Sequence, residues 1–323
     1  MKISIAMATY NSAKYLKAQL QSFIDQTRQP DELIITDDCS TDDTEIIVHE
    51  FAKVAPFTVE FYRNEKNLGY CGNFNAALTK TTGDLVFLSD QDDVWFAEKI
   101  EHIIGVGDRH PKCWILTNDA YLTDSELTEV GLTKLGQIRA AGMPIERYVM
   151  GCCCAVRREL LDLALPIPKT FDAHDAWLVW FADGLKRRYV DERVLQYYRR
   201  HENNESDFLA NRLVRMTKFA FYKESLTKAF SKSAEELELA KIERLKIFRS
   251  GVQEAKQKGT PALLIQLNGL HESISMSIQS MEVRADIRKQ PFFTRILSAI
   301  AYWLKGGYSS RHGFKGLMRD LIG

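Results

Sequence analysis

The chain has no uncharged apolar run approaching the roughly 18 to 20 residues that a membrane-spanning helix needs, so no bilayer-crossing segment is expected. Its start, an apolar stretch at residues 3–7, does not show the basic-then-apolar order of a secretory leader, and the expectation is a cytoplasmic protein. There is no excess of either charge: 43 Lys+Arg offset 43 Asp+Glu, which argues against a broad basic face for nucleic acid, and no such partner is expected. Cysteine is sparse. The six are Cys39, Cys71, Cys113 and the consecutive Cys152-Cys153-Cys154, a spacing that suits neither a disulfide framework nor paired zinc ligands. They read as reduced, small, buried side chains in a strand or turn. Fixed-period repeats and low-complexity segments are also missing. What remains is an ordinary globular composition, 45% hydrophobic and 27% charged, in 323 residues. That length suits one large domain with an appendage, or two domains.

The neutral total hides an asymmetry. Residues 1–100 hold 16 acidic against 9 basic residues, while the last forty hold eight basic residues (Arg284, Arg288, Lys289, Arg295, Lys305, Arg311, Lys315, Arg319) against Asp286 and Asp320. The first half alternates strand and helix signals. Short apolar strands are expected at residues 3–7, 33–35, 57–62 and 85–88, with helices between them, the first capped by Ser12. Repeated β-α units with buried strands predict an α/β fold with a doubly wound, mainly parallel sheet. Residues 118–150, with Gly131, Gly136, Gly142 and Pro144, read as a loop-rich insertion. From about residue 206 the pattern is helical. The expected organisation is therefore an α/β domain over 1–205, divided at about 110, followed by a helical region over 206–323.

The densest chemistry is Ser89-Asp90-Gln91-Asp92-Asp93-Val94-Trp95, three carboxylates at the carboxyl end of an apolar strand. Acids this close repel one another unless a cation or hydrogen-bond donors compensate. Mg²⁺ binds through one or two carboxylates and substrate phosphates, which fits a short Asp-x-Asp and implies a diphosphate substrate. An isolated acidic turn is the competing reading. A second acidic loop, Asp37-Asp38, ends a neighbouring strand, and both face one cleft in such a sheet. Asp38 is then a candidate to accept hydrogen bonds from a nucleoside, with helix capping as the alternative.

Taken in order, Ile3-Ser4-Ile5-Ala6-Met7-Ala8-Thr9-Tyr10-Asn11, Asp31-Glu32-Leu33-Ile34-Ile35-Thr36-Asp37-Asp38 and Asp90-Gln91-Asp92-Asp93 resemble the nucleotide-diphospho-sugar site of family 2 inverting glycosyltransferases. Gly72-Asn73-Phe74, His174-Asp175-Ala176-Trp177 and Tyr198-Arg199-Arg200-His201-Glu202-Asn203-Asn204 are similar to the bacterial rhamnosyltransferase-like branch. The resemblance spans about residues 1–204. It implies a GT-A-like fold and a metal-dependent transferase using Mg²⁺ or Mn²⁺. Ala8, Thr9, Tyr10, Asp38, Asn73, Asp90 and Gly151 would then bind the donor, and Asp92, Asp90 and His201 the metal. The general base would be Asp175, with His174 and Trp177 binding the acceptor. Asp175 as a simple helix cap, His201 as a structural histidine and Gly151 as a plain turn remain the alternatives. One departure is that Asn73-Phe74-Asn75 stands where many relatives carry Ala-Arg-Asn, so the usual arginine contact to the donor does not carry over.

The expected activity moves a sugar from a nucleotide-diphosphate donor, first dTDP-L-rhamnose and otherwise a UDP-hexose, to a cell-surface polysaccharide or lipid-linked glycan. A sugar nucleotidyltransferase would instead need a Gly-rich basic loop after the first strand, which Ala8-Thr9-Tyr10-Asn11-Ser12 does not supply. A non-catalytic sugar- or membrane-binding module on the same scaffold is the other alternative. The basic tail, interleaved with Phe292, Phe293, Ile296, Leu297, Ile300, Tyr302, Trp303 and Leu304, suggests a helix lying on an anionic membrane at the cytoplasmic face of the inner membrane. An amphipathic helix closing on its own domain, or self-association into a homo-oligomer, would use the same pattern.

Overall fold

The computed structural model of the chain describes residues 1–202, 204, 211–229, 234–308 and 313–322; Asn203 and Arg311, cited above, lie outside them. These residues form two compact units, Met1–Ser225 and Leu226–Gly323.

The first unit begins β1 (Ile3–Thr9), α1 (Leu16–Ile24), β2 (Glu32–Asp37), α2 (Thr44–Ala52), β3 (Thr58–Arg63), α3 (Gly69–Lys80) and β4 (Leu85–Ser89). Apolar runs rather than alternating patterns mark β1, β2 and β4 because both faces of these strands are covered. Ile3, Ile5, Met7, Leu33, Ile35, Leu85 and Phe87 share one core with Leu16, Leu20 and Phe23 of α1 and Ile47, Val48 and Phe51 of α2. The chain steps from β1 to β2 to β3, then returns through α3 to lay β4 against the other side of β1, all four strands parallel. With right-handed crossovers, that reversal puts α3 on the face opposite α1 and α2. It also opens a crevice between the carboxyl ends of β1 and β4, where ligands of such sheets bind. Ser12 does not cap α1. Its carbonyl accepts from the Tyr15 and Leu16 N–H groups, and its hydroxyl meets Thr44 Oγ1 at 3.2 Å, tying the loop after β1 to α2.

Beyond β4 come β5 (Val94–Trp95), α4 (Lys99–Arg109), β6 (Ile115–Thr123), β7 (Glu129–Thr133), α5 (Lys134–Ala140), β8 (Cys154–Arg157), α6 (Arg158–Ala164), α7 (His174–Gly184) and β9 (Arg188–Arg199). The sheet order is β3-β2-β1-β4-β8-β6-β9-β5, with β7 on β6. The α/β fold is as expected, but the sheet is parallel only through β4. Next, β8 runs antiparallel to β4 and β6, while β6 and β9 are parallel.

The expected loop-rich insertion at 118–150 is corrected to a hairpin followed by a helix. Asp124 Oδ1 accepts the Glu126 and Thr128 N–H groups at 2.9 and 2.8 Å, which closes the turn between β6 and β7. Thr133 Oγ1 then caps α5 on the Gly136 N–H at 3.0 Å. Gln137 of α5 holds residues past the expected 205 boundary: it donates to the Arg212 and Val214 carbonyls, both at 2.8 Å, and accepts the Met216 N–H.

The second unit contains α9 (Ala234–Ala255), α10 (Pro261–Arg288), α11 (Phe292–Leu304) and α12 (Gly313–Ile322), reached through α8 (Lys218–Ala229), which spans the boundary. Here part of the basic tail is spent internally. Asp320, fully buried, accepts from Arg284 at 2.6 Å and from Arg288 at 2.5 Å, and Glu238 pairs with Arg288 and Arg319. By contrast, α11 leaves Phe292, Phe293, Leu297, Trp303 and Leu304 more than half exposed. Among the described residues, no helix is long and apolar enough to cross a membrane.

Candidate active site

The end of β1 is clamped to the acid loop by Gln91. Its Oε1 accepts the Tyr10 N–H at 2.7 Å and its Nε2 donates to the Tyr10 carbonyl at 3.1 Å. Both backbone groups of Tyr10, an expected donor contact, are therefore occupied, leaving its half-exposed ring, with Ala8 partly buried nearby. Thr9 and Asn73 are corrected from donor contacts to scaffold. The Thr9 hydroxyl donates to Asp37 at 3.0 Å, and its carbonyl accepts the Asp38 N–H at 2.9 Å and Asn73 Nδ2 at 3.1 Å. Asn73 Oδ1 accepts from Asn64 at 3.0 Å. The buried Asp38 commits Oδ1 to the Leu68 N–H at 2.7 Å and to Asn64 at 3.0 Å, fixing the loop that leads into α3.

The acids after β4 diverge. Asp92 Oδ2 lies 2.7 Å from His201 Nε2 and accepts Asn204 Nδ2 at 3.1 Å, while His201 stacks on Tyr15 with ring centroids 4.8 Å apart. Arg199 is buried and donates Nε to the Asp92 carbonyl at 2.8 Å. Asp93 Oδ2 accepts Gln196 Nε2 at 2.8 Å and its Oδ1 accepts the Arg199 N–H at 3.3 Å.

Thus the expected trio separates. Asp92 meets His201, whereas the ligand atoms of Asp90, Asp93 and Cys152 converge within 4.8 Å of one another. Two carboxylates and a thiol form a donor set able to hold a divalent cation. Burial, and then the neighbouring Asp92 charge, push Asp90 up to about 7 and Asp93 well above the carboxylate range. A cation there would favour the ionised forms.

Across the crevice lies the start of α7. Asp175 is partly exposed in its first turn, and its Oδ1 accepts the Ala176 N–H at 2.7 Å. His174 is buried, stacked on Phe74 at 4.0 Å, and burial lowers its pKa. A Cβ on Gly151 would stand 2.7 Å from His174 Nε2 and 3.3 Å from Asp175 Cβ, so glycine at this position admits the α7 N-terminus. Trp177 is corrected as an acceptor platform. It is 1% exposed, its indole N–H donates to the Ala164 carbonyl at 2.9 Å, and it anchors α7 to α6.

Sequence reasoning missed Gln91, Lys99, Lys134 and Gln196. Lys99, fully buried, donates to the Cys152 carbonyl at 3.1 Å and to Gln196 Oε1, with its ammonium 3.8 Å from the Trp95 ring centroid. Its place four residues before Ile103 and seven before Val106, both buried, was the available signal. Lys134, also fully buried, donates to Asn211 Oδ1 at 3.0 Å.

The glycosyl transferase family 2 model matches residues 4–163. The chain is 30% identical over 226 residues to an uncharacterized glycosyltransferase of Nostoc sp., covering 63% of this chain and 66% of that one, just under two thirds of its length. It is 28% identical over 216 residues to the dTDP-rhamnosyl transferase RfbG of Shigella flexneri, covering 62% of this chain and 73% of that one. Among solved structures, S. aureus TarS 1–349 in complex with UDP matches with a TM-score of 0.53 at 20% identity, over 87% of this chain and 91% of that chain. That likeness is one of fold, and it makes the architecture GT-A-like. Residues 4–163 of the chain form a glycosyl transferase family 2 domain.

Proposed function

We propose that this protein is an inverting glycosyltransferase that moves a sugar from a nucleotide-diphosphate donor, dTDP-L-rhamnose first and otherwise a UDP-hexose, to a hydroxyl of a cell-surface polysaccharide or lipid-linked glycan. The observation that carries the reading is that one turn, residues 151–153, is met from two sides: by the acid loop, through Asp90 and Asp93 at Cys152, and by the start of α7, whose His174 and Asp175 pack on Gly151. Asp175 accepts the acceptor hydroxyl's proton as that oxygen attacks the anomeric carbon. Oδ2 of Asp38 and the Tyr10 ring border the nucleoside, and Gly151 keeps the donor-sugar side free of a side chain. Asp90, Asp92 and His201 are the residues this reading gives to Mg²⁺ or Mn²⁺. Such an ion supplies charge compensation for the departing diphosphate. The name of the RfbG relative supports rhamnose as the first donor to test.

A panel of dTDP- and UDP-sugars, each with and without Mn²⁺, tests the reading by thermal shift, since a bound ligand stabilises the fold in proportion to its occupancy. At least one nucleotide sugar is expected to raise Tm, and more so with the metal. No shift from any nucleotide sugar or free nucleoside diphosphate would remove it.

The same reading places the acceptor on a lipid carrier and α11 on the membrane surface, at the cytoplasmic face of the inner membrane. The exposed Phe293, Leu297 and Trp303 support it, together with Lys305 at the end of the helix. Changing these three apolar residues to Ser is expected to lower co-sedimentation with anionic phospholipid vesicles by about tenfold, the transfer value of roughly one large buried side chain. Unchanged co-sedimentation would reject the membrane role.

A further inference from the structure

The reaction proposed above gives α3 no task, yet this helix is bonded both to the Asp38 loop and to the chain that leads into Asp175. At its start, Asp38 Oδ1 accepts the Leu68 N–H at 2.7 Å and Asn67 Nδ2 donates to the Asp38 carbonyl at 3.3 Å. Gly69, at φ +71°, makes the bend into the helix. One turn on, Asn73 ties α3 to the sheet: its Nδ2 donates to the Thr9 carbonyl at 3.1 Å, and its own carbonyl accepts the Thr36 hydroxyl at 2.8 Å.

Tyr70, Cys71, Phe74 and Asn75 are spaced to stand side by side on one helix surface, and together they grip the segment that enters α7. Asn75 Oδ1 accepts the Ile167 N–H at 2.8 Å, the Cys71 thiol donates to the Phe171 carbonyl at 3.2 Å, and the Tyr70 hydroxyl donates to the Asp172 carbonyl. Phe74 stacks on His174 with ring centroids 4.0 Å apart, and the Tyr70 ring meets the same imidazole edge-on at 6.0 Å. Of the hydrogen bonds, the one from Tyr70 falls nearest Asp175 in the chain. It acts where the helix does not secure itself: Ala173 is the N-cap of α7 and has no side-chain oxygen to fix the first turn. The orientation of that turn is therefore set from outside, by the carbonyl one residue earlier.

We infer that Tyr70 is a positioning residue for the proposed base: its hydroxyl, through the Asp172 carbonyl, sets where the Asp175 carboxylate stands relative to the Asp38 loop. This rests on the reading of Asp175 given above and adds to it a link from the nucleoside side of the site to the base. Such placement is worth much, since a misplacement of about 1 Å costs on the order of 10²-fold in rate. The Tyr70 side chain is 45% exposed, so the hydroxyl can be removed without opening the core. Tyr70→Phe keeps the ring and its edge contact with His174 and deletes the bond to Asp172 alone.

The test compares the full chain with Tyr70→Phe, Asp175→Asn and the double variant. The assay is release of nucleoside diphosphate from dTDP-L-rhamnose and from UDP-glucose, with water in place of the acceptor hydroxyl. Tyr70→Phe is expected to lower kcat by about 10- to 100-fold, with KM for the nucleotide sugar within about twofold of the parent. Because Tyr70 acts through Asp175, its loss should cost nothing further once Asp175→Asn is in place. Hydrogen exchange gives a reading that needs no turnover, and it alone decides if the parent hydrolyses neither donor: the Ala176 and Trp177 amides should exchange several-fold faster in Tyr70→Phe. Unchanged exchange at these amides overturns the inference. A kcat for Tyr70→Phe within about twofold of the parent, while Asp175→Asn is impaired, does the same and leaves the transferase reading standing. An additive loss in the double variant gives Tyr70 a role apart from Asp175, and a parallel rise in KM moves it to the donor site; each overturns the inference alone. Asp175→Asn that turns over like the parent removes the base reading and the inference with it.

Discussion

Asp175→Asn is expected to lower the rate of sugar transfer at saturating donor by about 10²- to 10⁴-fold, the range that a positioned general base contributes. The substitution is nearly isosteric. Its remaining Oδ1 still accepts the Ala176 N–H that the carboxylate accepts at 2.7 Å, so the first turn of α7 is preserved and the loss is not one of folding. What disappears is the second oxygen's capacity to take a proton. Asp175 packs on the Gly151 turn and its Oδ1 accepts the Ala176 N–H, whereas Asp38 holds the Leu68 N–H and Tyr10 is clamped by Gln91, so nucleotide affinity measured by calorimetry should match the parent. A rate within a few-fold of the parent, with the donor bound equally well, would remove the base assignment. A parallel loss of nucleotide binding would instead place Asp175 in the donor site.

How far such roles were legible in the sequence depended on whether the physics was local. The strands of the first half announced themselves because residues such as Ile3, Ile5, Leu33, Ile35 and Phe87 need cover on both faces, and an apolar run records that directly. The acid loop could be read because three carboxylates in four residues are improbable without a purpose, and the link from Asp92 to His201 followed from the ordered motif set.

Residues 118–150 misled because their glycines were read as loop punctuation. Gly131 does sit at φ +70° in β7, but Gly136 lies inside α5, where its N–H meets the capping Thr133 hydroxyl. The direction of a side chain was less legible still. A tryptophan that stacks on a sugar and one that fills a core look identical in sequence, and Trp177 proved to be the second. Lys99 and Lys134 drew no attention in the sequence because lysine is almost never fully buried without a partner. Their partners, Gln196, the Cys152 carbonyl and Asn211, are distant in sequence and come together only in the folded sheet.

His174→Phe is expected to move stability and activity in opposite directions. The imidazole is 6% exposed, and among the described residues neither ring nitrogen has a hydrogen-bond partner. Burial lowers its pKa, so the neutral ring carries one unsatisfied donor and one unsatisfied acceptor into the interior. Each such group costs about 1–3 kcal/mol when it cannot be paired. Phenylalanine deletes both, keeps an aromatic ring against Phe74, and needs similar room beside Gly151. Stability should therefore rise by about 1–3 kcal/mol, seen as a Tm increase of several degrees for a unit of this size.

A ring held at that disadvantage beside the proposed base is explained if its nitrogens are satisfied in the acceptor complex, when the start of α7 adjusts to the bound glycan. On that account kcat/KM for the acceptor falls by about tenfold or more, the value of one lost hydrogen bond to a buried group, while KM for the donor is unchanged. A higher Tm with undiminished transfer would make His174 a core residue and leave Asp175 to act without it.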